Sequence, residues 1–197
     1  MNDFWESRFG EKEYAYGTEP NAFLKQQLNG GQEGNVLFPA EGEGRNAVYA
    51  ARLGYRVFAF DPSTEGRKKA LALADRYAVQ INYEINTYAD VTYPEGFFDV
   101  VVLIFAHMPP DKRQEWHRKL SGFLKPGGKL ILEGFSKEQL AFGTGGPPNI
   151  DMLFSQEELL EDFKNLDPLS LETKQLVLDE GLYHRGLASV IRGVFTK

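Results

Sequence analysis

The feature that most constrains this chain is an apolar segment that runs into a small-residue turn. Residues 36–44 read Val-Leu-Phe-Pro-Ala-Glu-Gly-Glu-Gly, and a helical stretch follows from about Arg45 to Leu53. A second strand, residues 56–60, ends at Asp61, which comes seventeen residues after Gly44. A glycine turn that opens a helix, with an acid closing the next strand, is typical of nucleotide-recognition units. In such units the turn holds the acidic tail of the ligand, and the later acid binds the ribose hydroxyls.

Composition and charge exclude several classes of function. The net charge of −6 disfavours a non-specific nucleic-acid binder, because attraction to phosphates needs a basic surface. The chain has no cysteine, which excludes disulfide scaffolds, thiolate metal sites and thiol catalysis. We find no apolar run that could span a bilayer and no secretory signal. A single cytoplasmic domain with no nucleic-acid or membrane partner is expected, and the oligomeric state is left open.

Strands and helices alternate along the chain. Apolar and alternating segments predict strands at 35–39, 56–60, 79–85, 99–105, 129–133, 171–178 and 187–195. Helical patterns cover 22–28, 45–53, 65–77, 111–124 and 156–165, whereas residues 1–18 are irregular and 29–31 stop a helix. This order predicts an α/β fold, a Rossmann-like doubly wound and mostly parallel sheet with helices on both faces. Its last two strands form a C-terminal hairpin that adds one antiparallel edge strand.

The turn itself discriminates between cofactors. Dinucleotide enzymes usually carry a third glycine in this turn, where Ala47 is the nearest substitute. The carboxylates of Glu41 and Glu43 are stronger evidence against a dinucleotide than the missing glycine, because two negative charges in the turn would repel a diphosphate. S-adenosylmethionine has a sulfonium and an ammonium, and its one carboxylate can bind the N–H groups at the start of a helix. The sequence therefore favours S-adenosylmethionine over a nicotinamide dinucleotide.

The chain resembles class I S-adenosylmethionine-dependent methyltransferases, in particular the tellurite-resistance and thiopurine type. The first motif of that family usually reads Val-Leu-Asp-Leu-Gly-x-Gly-x-Gly, which residues 36–44 match except at two positions. Phe38 stands where the family usually has an acid, and Ala40 stands in place of the first glycine. The carboxylate of Glu41 or Glu43 could compensate for the missing acid. The following Arg45-Asn46 is similar to the tellurite-resistance subgroup. The implied fold is the class I methyltransferase fold.

Further landmarks extend the resemblance over nearly the whole chain. Residues 54–63 resemble the second motif, and Ala89-Asp90 precedes an apolar strand at the place where the family binds adenine. The segment 14–20 is similar to the part of the subgroup that folds over the cofactor, where Trp5 or Tyr16 could contact the sulfonium through cation–π attraction. The resemblance implies a set of cofactor-binding residues: Tyr16, Gly17, Ala40, Glu41, Gly42, Gly44, Arg45, Asn46, Asp61, Pro62, Ala89, Asp90 and Phe105.

Candidate substrate residues come from two later segments. His107 follows the strand 99–105 at its cleft end and could contact substrate or act as a base. The loop 143–148 follows the next strand, so that Thr144 and Gly145 would lie on the substrate side.

Structural roles compete with these functional ones. The two glycines could serve only a tight turn, Asp90 could be a turn aspartate, and Asp61 could cap a helix in competition with Ser63. Asp99 lies at the other end of its strand from the cleft, which favours a structural role. Of the other histidines, His117 is expected to face solvent and His184 shows no partner. The histidines lack metal-ligand spacing, so no metal is expected.

The expected function is methyl transfer from S-adenosylmethionine to a small molecule, such as a thiol or a chalcogen oxyanion, by in-line displacement. Two alternatives stay open: a non-catalytic domain that binds S-adenosylmethionine and a nicotinamide-dependent reductase. The resemblance divides one methyltransferase domain into a cofactor-covering segment, a cofactor-binding core, a substrate-side loop with its helix, and a closing hairpin, at 1–34, 35–135, 136–170 and 171–197.

Overall fold

The computed structural model describes residues 2–28 and 33–197, except for the side chain of Asn2; the predicted helix stop at 29–31 lies outside these ranges. Seven strands form one sheet in the order β3-β2-β1-β4-β5-β7-β6. The strands are β1 (Asn35–Pro39), β2 (Arg56–Asp61), β3 (Asn82–Ile85), β4 (Phe98–Ile104), β5 (Leu124–Phe135), β6 (Asp167–Glu180) and β7 (His184–Thr196). The helices are α1 (Asn2–Phe9), α2 (Ala22–Gln27), α3 (Arg45–Arg52), α4 (Thr64–Arg76), α5 (Pro110–Gly122) and α6 (Gln156–Asp162). The predicted α/β fold, mostly parallel with a C-terminal antiparallel hairpin, is confirmed.

The first of two compact units comprises residues up to Thr92 together with Glu180–Tyr183. In it β1 pairs with β2, and β2 pairs with β3, both in parallel. Strand β1 is almost fully buried after Asn35, as expected for an inner strand of a parallel sheet. The carboxyl ends of β1 and β2 therefore lie at the same edge of the sheet, where Ala40 and Asp61 follow.

The second unit comprises residues 93–179 and 184–197. Strand β4 pairs in parallel with β5, and β5 pairs antiparallel with β7. The β6–β7 hairpin places β7 inside the sheet and leaves β6 at the edge, so the antiparallel strand is not the edge strand. Two short 3-10 helices, Lys137–Ala141 and Ile150–Met152, lie between β5 and α6.

Two segments differ from the sequence expectation. The N-terminal region, predicted to be irregular, begins with helix α1, whose Phe9 is buried. The alternating segment 79–85 is a strand only from Asn82 onwards, because Val79 and Ile81 pack instead on a cluster that includes Leu73 of α4. Period-two alternation cannot separate these two outcomes, since both bury every second residue.

His117 was expected to face solvent, and this prediction is wrong. Its side chain is fully buried on α5, and Nδ1 lies 2.8 Å from Oδ2 of the buried Asp162 on α6. Arg113 donates to the same carboxylate oxygen at 2.8 Å. Burial lowers the pKa of His117 despite this carboxylate. The contacts among His117, Arg113 and Asp162 join α5 to α6 and explain why a histidine lies on the apolar face of α5.

None of the helices in the described ranges combines the length and the apolar character that crossing a bilayer requires.

Candidate functional site

The turn after β1 has a backbone conformation that depends on glycine. Gly42 and Gly44 have φ angles of 59° and 86°, and Ala40 also has a positive φ of 50°. Gly44 is the N-cap of α3, and a Cβ atom there would lie 2.5 Å from Cβ of Ala70 on α4. A Cβ at Gly42 would lie 2.8 Å from the ring of Phe9. Both glycines are thus needed for close packing as well as for the turn.

Glu41 caps the helix that the turn opens. Its Oε1 accepts hydrogen bonds from the backbone N–H groups of Asn46 and Ala47, at 2.9 and 2.7 Å. These N–H groups are therefore not available to the carboxylate of a ligand, contrary to the expectation from the sequence. Both bonds are made by Oε1, which leaves Oε2 for another partner. Burial raises the pKa of Glu41 to about 7, with the two N–H donors and Arg45 opposing the rise.

Glu43 is committed to holding the N-terminal segment. Its Oε2 accepts from the backbone N–H of Ala15 at 2.8 Å, and its Oε1 lies 2.7 Å from Nζ of Lys69 on α4. The side chain is only 4% exposed, and burial raises its pKa. Of the two turn carboxylates, Glu43 is thus paired with Lys69, whereas Glu41 keeps Oε2 for a ligand and, with its pKa raised to about 7, is only partly charged at neutral pH.

Asp61 links the turn to the end of β2. Its Oδ2 accepts from the N–H of Gly42 at 3.2 Å, and its Oδ1 accepts from the N–H of Ser63 at 2.9 Å. Burial raises its pKa to about 6. Ser63, not Asp61, is the N-cap of α4, since its Oγ accepts from the N–H of Gly66 at 3.0 Å. Each carboxylate oxygen of Asp61 keeps lone pairs that could accept a ligand hydroxyl.

Two side chains that support this site were not predicted. The hydroxyl of Tyr83 on β3 donates to the carbonyl oxygen of Gly42 at 2.6 Å and thereby holds the turn in place. Glu6 on α1 accepts from the hydroxyl of Ser63 and from the N–H of Glu65. Tyr83 is an apolar position in an alternating strand, and nothing in its sequence context indicates a bond to a residue 41 positions away.

Arg45 and Asn46 join the start of α3 to other parts of the first unit. The Arg45 guanidinium donates to Oε2 of Glu180 at 2.9 Å, and Oε1 of Glu180 accepts from the side chain of Asn21 at the same distance. The side chain of Asn46 accepts from the backbone N–H of Asn21 at 2.9 Å. Both Arg45 and Asn46 are buried, and these contacts show their side chains engaged within the protein.

Aromatic side chains near the N-terminus contact a cationic group of the protein itself, the guanidinium of Arg8. The Arg8 guanidinium lies 3.9 Å from the ring centroid of Tyr183 and donates to the hydroxyl of Tyr16 at 3.1 Å. Trp5 stacks on Phe9 at 5.4 Å. Trp5 also lies near Arg8, whereas the ring of Tyr14 is 5.2 Å from Nζ of Lys69, so the cation–π contacts of this segment are made with cations of the protein.

Gly17 packs on the hairpin tip, residues 181–183. A Cβ at Gly181 would lie 2.5 Å from the backbone nitrogen of Gly17, and Leu182 donates its N–H to the carbonyl of Ala15 at 2.9 Å. This contact holds the segment that includes Tyr16 and Gly17.

The adenine candidates lie in an exposed turn. Asp90 is exposed, and its Oδ2 accepts from the hydroxyl of Thr87 at 2.6 Å, while its N–H donates back to the same hydroxyl oxygen. Ala89 is also exposed, and Pro62 is half-buried after β2. The geometry of Asp90 is that of a turn aspartate with one carboxylate oxygen left for a ligand.

In the second unit, Phe105 follows β4 in a strained conformation. Its φ angle is 52°, which is unusual for an aromatic residue, and its N–H donates to the carbonyl of Glu133. The ring lies 4.7 Å from that of Phe135 and 4.3 Å from that of His184. His184, which showed no partner in the sequence, is buried at the start of β7 in this aromatic cluster. Strained residues of this kind often occur at binding sites.

His107 has both ring nitrogens engaged with backbone groups. Nε2 accepts from the N–H of Phe135 at 3.1 Å, so the proton is on Nδ1, which donates to the carbonyl of Met152 at 2.8 Å. The ring stacks on Phe154 at 4.6 Å. Burial lowers the pKa of His107 to about 4. A neutral imidazole whose only lone pair is already bonded is poorly placed to remove a proton.

The loop that contains Thr144 and Gly145 is fixed by Gln139. The buried Gln139 amide donates to the hydroxyl oxygen of Thr144 at 3.0 Å and to the carbonyl of Gly145 at 3.2 Å, and its oxygen accepts from Ser189 on β7. The Thr144 hydroxyl donates to the carbonyl of Leu187 at 2.6 Å. Gln139 was not predicted, because no local pattern marks a side chain that bonds to a later loop.

The structure thus brings the turn 40–44 and Asp61 together in the first unit, and Phe105 and His107 together with Phe135 in the second. Within the described ranges no group of three or more His, Asp or Glu side chains could hold a metal ion.

Comparisons with known proteins identify the core. Residues 36–128 match the family model described as a methyltransferase domain. These residues, just under half of the chain, are similar to a methyltransferase domain. The protein is therefore an enzyme, and its cofactor is S-adenosylmethionine. The match includes β1, the glycine turn, Asp61 and β4. A sequence comparison with curated proteins finds no match.

Solved structures support the same fold for the methyltransferase. One, described under the conversion of a disulfide bond into a thioacetal group during echinomycin biosynthesis, is 20% identical with a TM-score of 0.78, covering 100% of this chain and 91% of its own. TehB from Haemophilus influenzae is 15% identical with a TM-score of 0.72, covering 100% and 66%. A SAM-dependent methyltransferase from Methanosarcina mazei is 15% identical with a TM-score of 0.67, covering 91% and 98%. These similarities show the class I methyltransferase fold.

Proposed function

We propose that the enzyme methylates a small-molecule acceptor with a soft nucleophile, a thiol in the first place and a chalcogen oxyanion as related chemistry. The observation that carries this proposal is the bonding of His107, whose two ring nitrogens are engaged with backbone groups. A thiolate needs no base at the moment of transfer. The leaving thioether is neutral, so no acid is required either. Alignment of the reactants contributes on the order of 7–11 kcal/mol in such reactions.

The aromatic cluster of the second unit supports a sulfur acceptor over an oxygen acceptor. Phe105 after β4, Phe135 at the end of β5 and His184 at the start of β7 form an aromatic cluster, and an apolar neighbourhood of this kind favours a polarizable, weakly hydrated nucleophile. The similar structure described under the conversion of a disulfide bond into a thioacetal group during echinomycin biosynthesis supports this choice, because that conversion is sulfur chemistry. The tellurite-resistance type is the proposed subgroup, on the resemblance of Arg45-Asn46 and of the segment 14–20. Thr144 and Gly145 are the proposed substrate-side loop residues.

The proposed cofactor contacts follow from the first unit. Asp61 accepts hydrogen bonds from the ribose hydroxyls, and Oε2 of Glu41 accepts a hydrogen bond from the α-ammonium group of S-adenosylmethionine. The remaining contacts proposed in the first unit are Tyr16, Gly17, Ala40, Gly42, Gly44, Arg45, Asn46, Pro62, Ala89 and Asp90. Phe105 is the cofactor contact proposed in the second unit. A diphosphate would need the N–H groups of Asn46 and Ala47, which Glu41 already occupies. This occupancy weighs against a nicotinamide dinucleotide.

A panel of acceptors tests the proposed reaction. The enzyme with S-adenosylmethionine is incubated with aliphatic and aromatic thiols, selenite, tellurite, a catechol and primary amines, and formation of S-adenosylhomocysteine is measured. We expect turnover with thiols, with a pH profile that follows the thiol pKa because no protein base is involved. Faster methylation of the catechol or the amines than of every thiol would contradict the proposal.

Replacing Glu41 with glutamine tests its role toward the ammonium group. The amide oxygen can still accept from Asn46 and Ala47, so the helix cap is retained while the negative charge is lost. We expect binding of S-adenosylhomocysteine to weaken by about tenfold, the value of one charge-assisted hydrogen bond. Binding of 5′-methylthioadenosine, which lacks the amino-acid part, should not change. Isothermal titration calorimetry measures both affinities.

The pH dependence of binding provides a second test of Glu41. Because burial raises its pKa to about 7, the carboxylate is lost as the pH falls from 8 to 6. The wild-type affinity for S-adenosylhomocysteine should fall over this range, more steeply than that of the glutamine variant. Asp61, whose pKa is about 6, also titrates nearby, and the methylthioadenosine profile isolates its contribution. An equally steep pH-dependent loss of affinity for both ligands in the wild-type protein would contradict the ammonium role.

A further inference from the structure

The edge strand β6 is unusually long and apolar for a strand without a second neighbour. It spans fourteen residues and comes last in the strand order, next to β7 only. Leu169 is 59% exposed and Val177 is 73% exposed. Long exposed edges of this kind are templates for pairing with another strand.

The apolar surface of β6 continues onto β7. Asp179 forms an ion pair with Arg185 at 3.5 Å, and the Leu171 side chain lies against Gly193. Both contacts match an antiparallel register in which Val177 lies opposite Leu187, itself 46% exposed. The exposed apolar pair of Val177 and Leu187 therefore lies beside the open edge of the sheet, which β6 forms.

The sequence of β6 is complementary to itself in one antiparallel register. When Thr173 faces Thr173 of a second copy, Leu169 faces Val177 of that copy, which extends the apolar row. In the same register Glu172 faces Lys174 of the second copy, and Lys174 faces Glu172. Opposite charges and apolar pairs directly across two strands both stabilise a sheet.

Neighbouring registers lose this match. A shift by one residue would place Leu169 opposite Leu178, which is 4% exposed in its own subunit, and Glu172 opposite the uncharged Gln175. A one-residue shift also turns every side chain of one strand to the other face relative to its partner. Pro168 lacks an N–H group and limits the ladder to the part of β6 that follows it.

We propose that two copies of this chain associate through β6, antiparallel about Thr173, to form one continuous sheet across the dimer. The occupant of this edge is thus a second copy of the chain, selected by the charge and apolar complementarity of residues 169–177. The inference concerns assembly and is independent of the methyl acceptor.

A single cysteine tests the register directly, since the chain has none of its own. Residues facing each other across an antiparallel pair have Cα atoms about 4.5–5.5 Å apart, within the range that a disulfide bridges. We expect Thr173→Cys to form a disulfide-linked dimer on mild oxidation. In the matched control Gln175→Cys, the two cysteines are offset by four residues, about 13 Å, and should not be linked. Non-reducing electrophoresis measures both.

Charge reversal tests the same pairing without a covalent bond. Analytical ultracentrifugation of the full chain between about 1 and 100 µM should show a monomer–dimer equilibrium. Glu172→Lys and Lys174→Glu should each weaken the dimer by about tenfold, because like charges then face each other twice. The double variant should restore the wild-type constant. Ile85→Lys, at an exposed site on the opposite edge strand β3, should change nothing.

Three results would overturn the proposal. The first is a wild-type chain that stays monomeric up to about 100 µM. The second is equal cross-linking of the two cysteine variants, which indicates random collision. The third is a double charge variant as weak as either single one. Circular dichroism of each variant establishes that it remains folded.

Discussion

Replacing Gly44 with alanine is expected to lower the free energy of unfolding by about 3 kcal/mol. The added Cβ would lie 2.5 Å from Cβ and 2.8 Å from Cα of Ala70, so that α3 and α4 must move apart. Overpacking of this kind costs about 1–3 kcal/mol. The φ angle of 86° adds about 1 kcal/mol, because an L-residue there is strained. Urea denaturation of both proteins measures the difference.

Gly54→Ala provides the matched control for this prediction. Gly54 also has a positive φ, 100°, but a Cβ there would meet no atom within 4 Å. Replacing Gly54 with alanine should therefore lower the free energy of unfolding only through backbone strain, by about 1 kcal/mol. A Gly44 variant no less stable than the Gly54 variant would show that α4 adjusts freely and that the close approach is not needed.

Replacing Asp61 with alanine is expected to reduce the affinity for S-adenosylhomocysteine by about 100-fold. The proposed pair of hydrogen bonds from the ribose hydroxyls to the carboxylate is worth about 3 kcal/mol in total, since each bond to a charged group contributes about 1.5 kcal/mol or more. The change also removes the acceptor for the N–H of Gly42, which loosens the turn. Isothermal titration calorimetry measures the affinity, and 5′-methylthioadenosine should lose a similar factor because it carries the same ribose.

Two variants separate the ribose contact from loss of the turn. Asp61→Asn keeps an acceptor oxygen for one of the two backbone N–H groups, those of Gly42 and Ser63, and should lose at least about tenfold through the missing charge and the second acceptor. Asp99→Ala removes a surface-accessible carboxylate that pairs with Lys125 at 2.8 Å in the second unit, and should leave affinity unchanged. If Asp61→Ala binds as tightly as wild type, Asp61 is not a ribose ligand.

Much of the fold could be predicted from local patterns. The buried run of β4, the capping box that begins α6, and the glycine after α3 each identify their element within a few residues. The capping box is fully formed, with Ser155 accepting from the N–H of Glu158 and Glu158 accepting from that of Ser155. These signals depend only on neighbours in sequence. The N-terminal helix was missed because its amphipathic pattern is weak and its packing partner, the turn at Gly42, is distant in sequence.

The candidate site was predictable only in outline. The pattern of a turn and a later acid located residues 40–44 and Asp61, which the structure places in hydrogen-bond contact. It could not show that Glu41 caps α3 or that Lys69 neutralises Glu43. Side-chain partners at such separations depend on how elements pack, and the same carboxylate can cap a helix, form an ion pair or bind a ligand.

Local sequence patterns were enough to predict the order of the seven strands and of helices α2 to α6, the glycine turn with its acid, and the cofactor class. These follow from periodicity, from backbone freedom at glycine and from charge, which are properties of short segments. Only the tertiary structure decided which ionisable groups are free. His107 is half-buried and bonded to backbone groups, and His117 is fully buried beside Asp162. The reason is physical: burial and hydrogen bonding, which set the pKa of a side chain and its availability, come from residues far away in sequence.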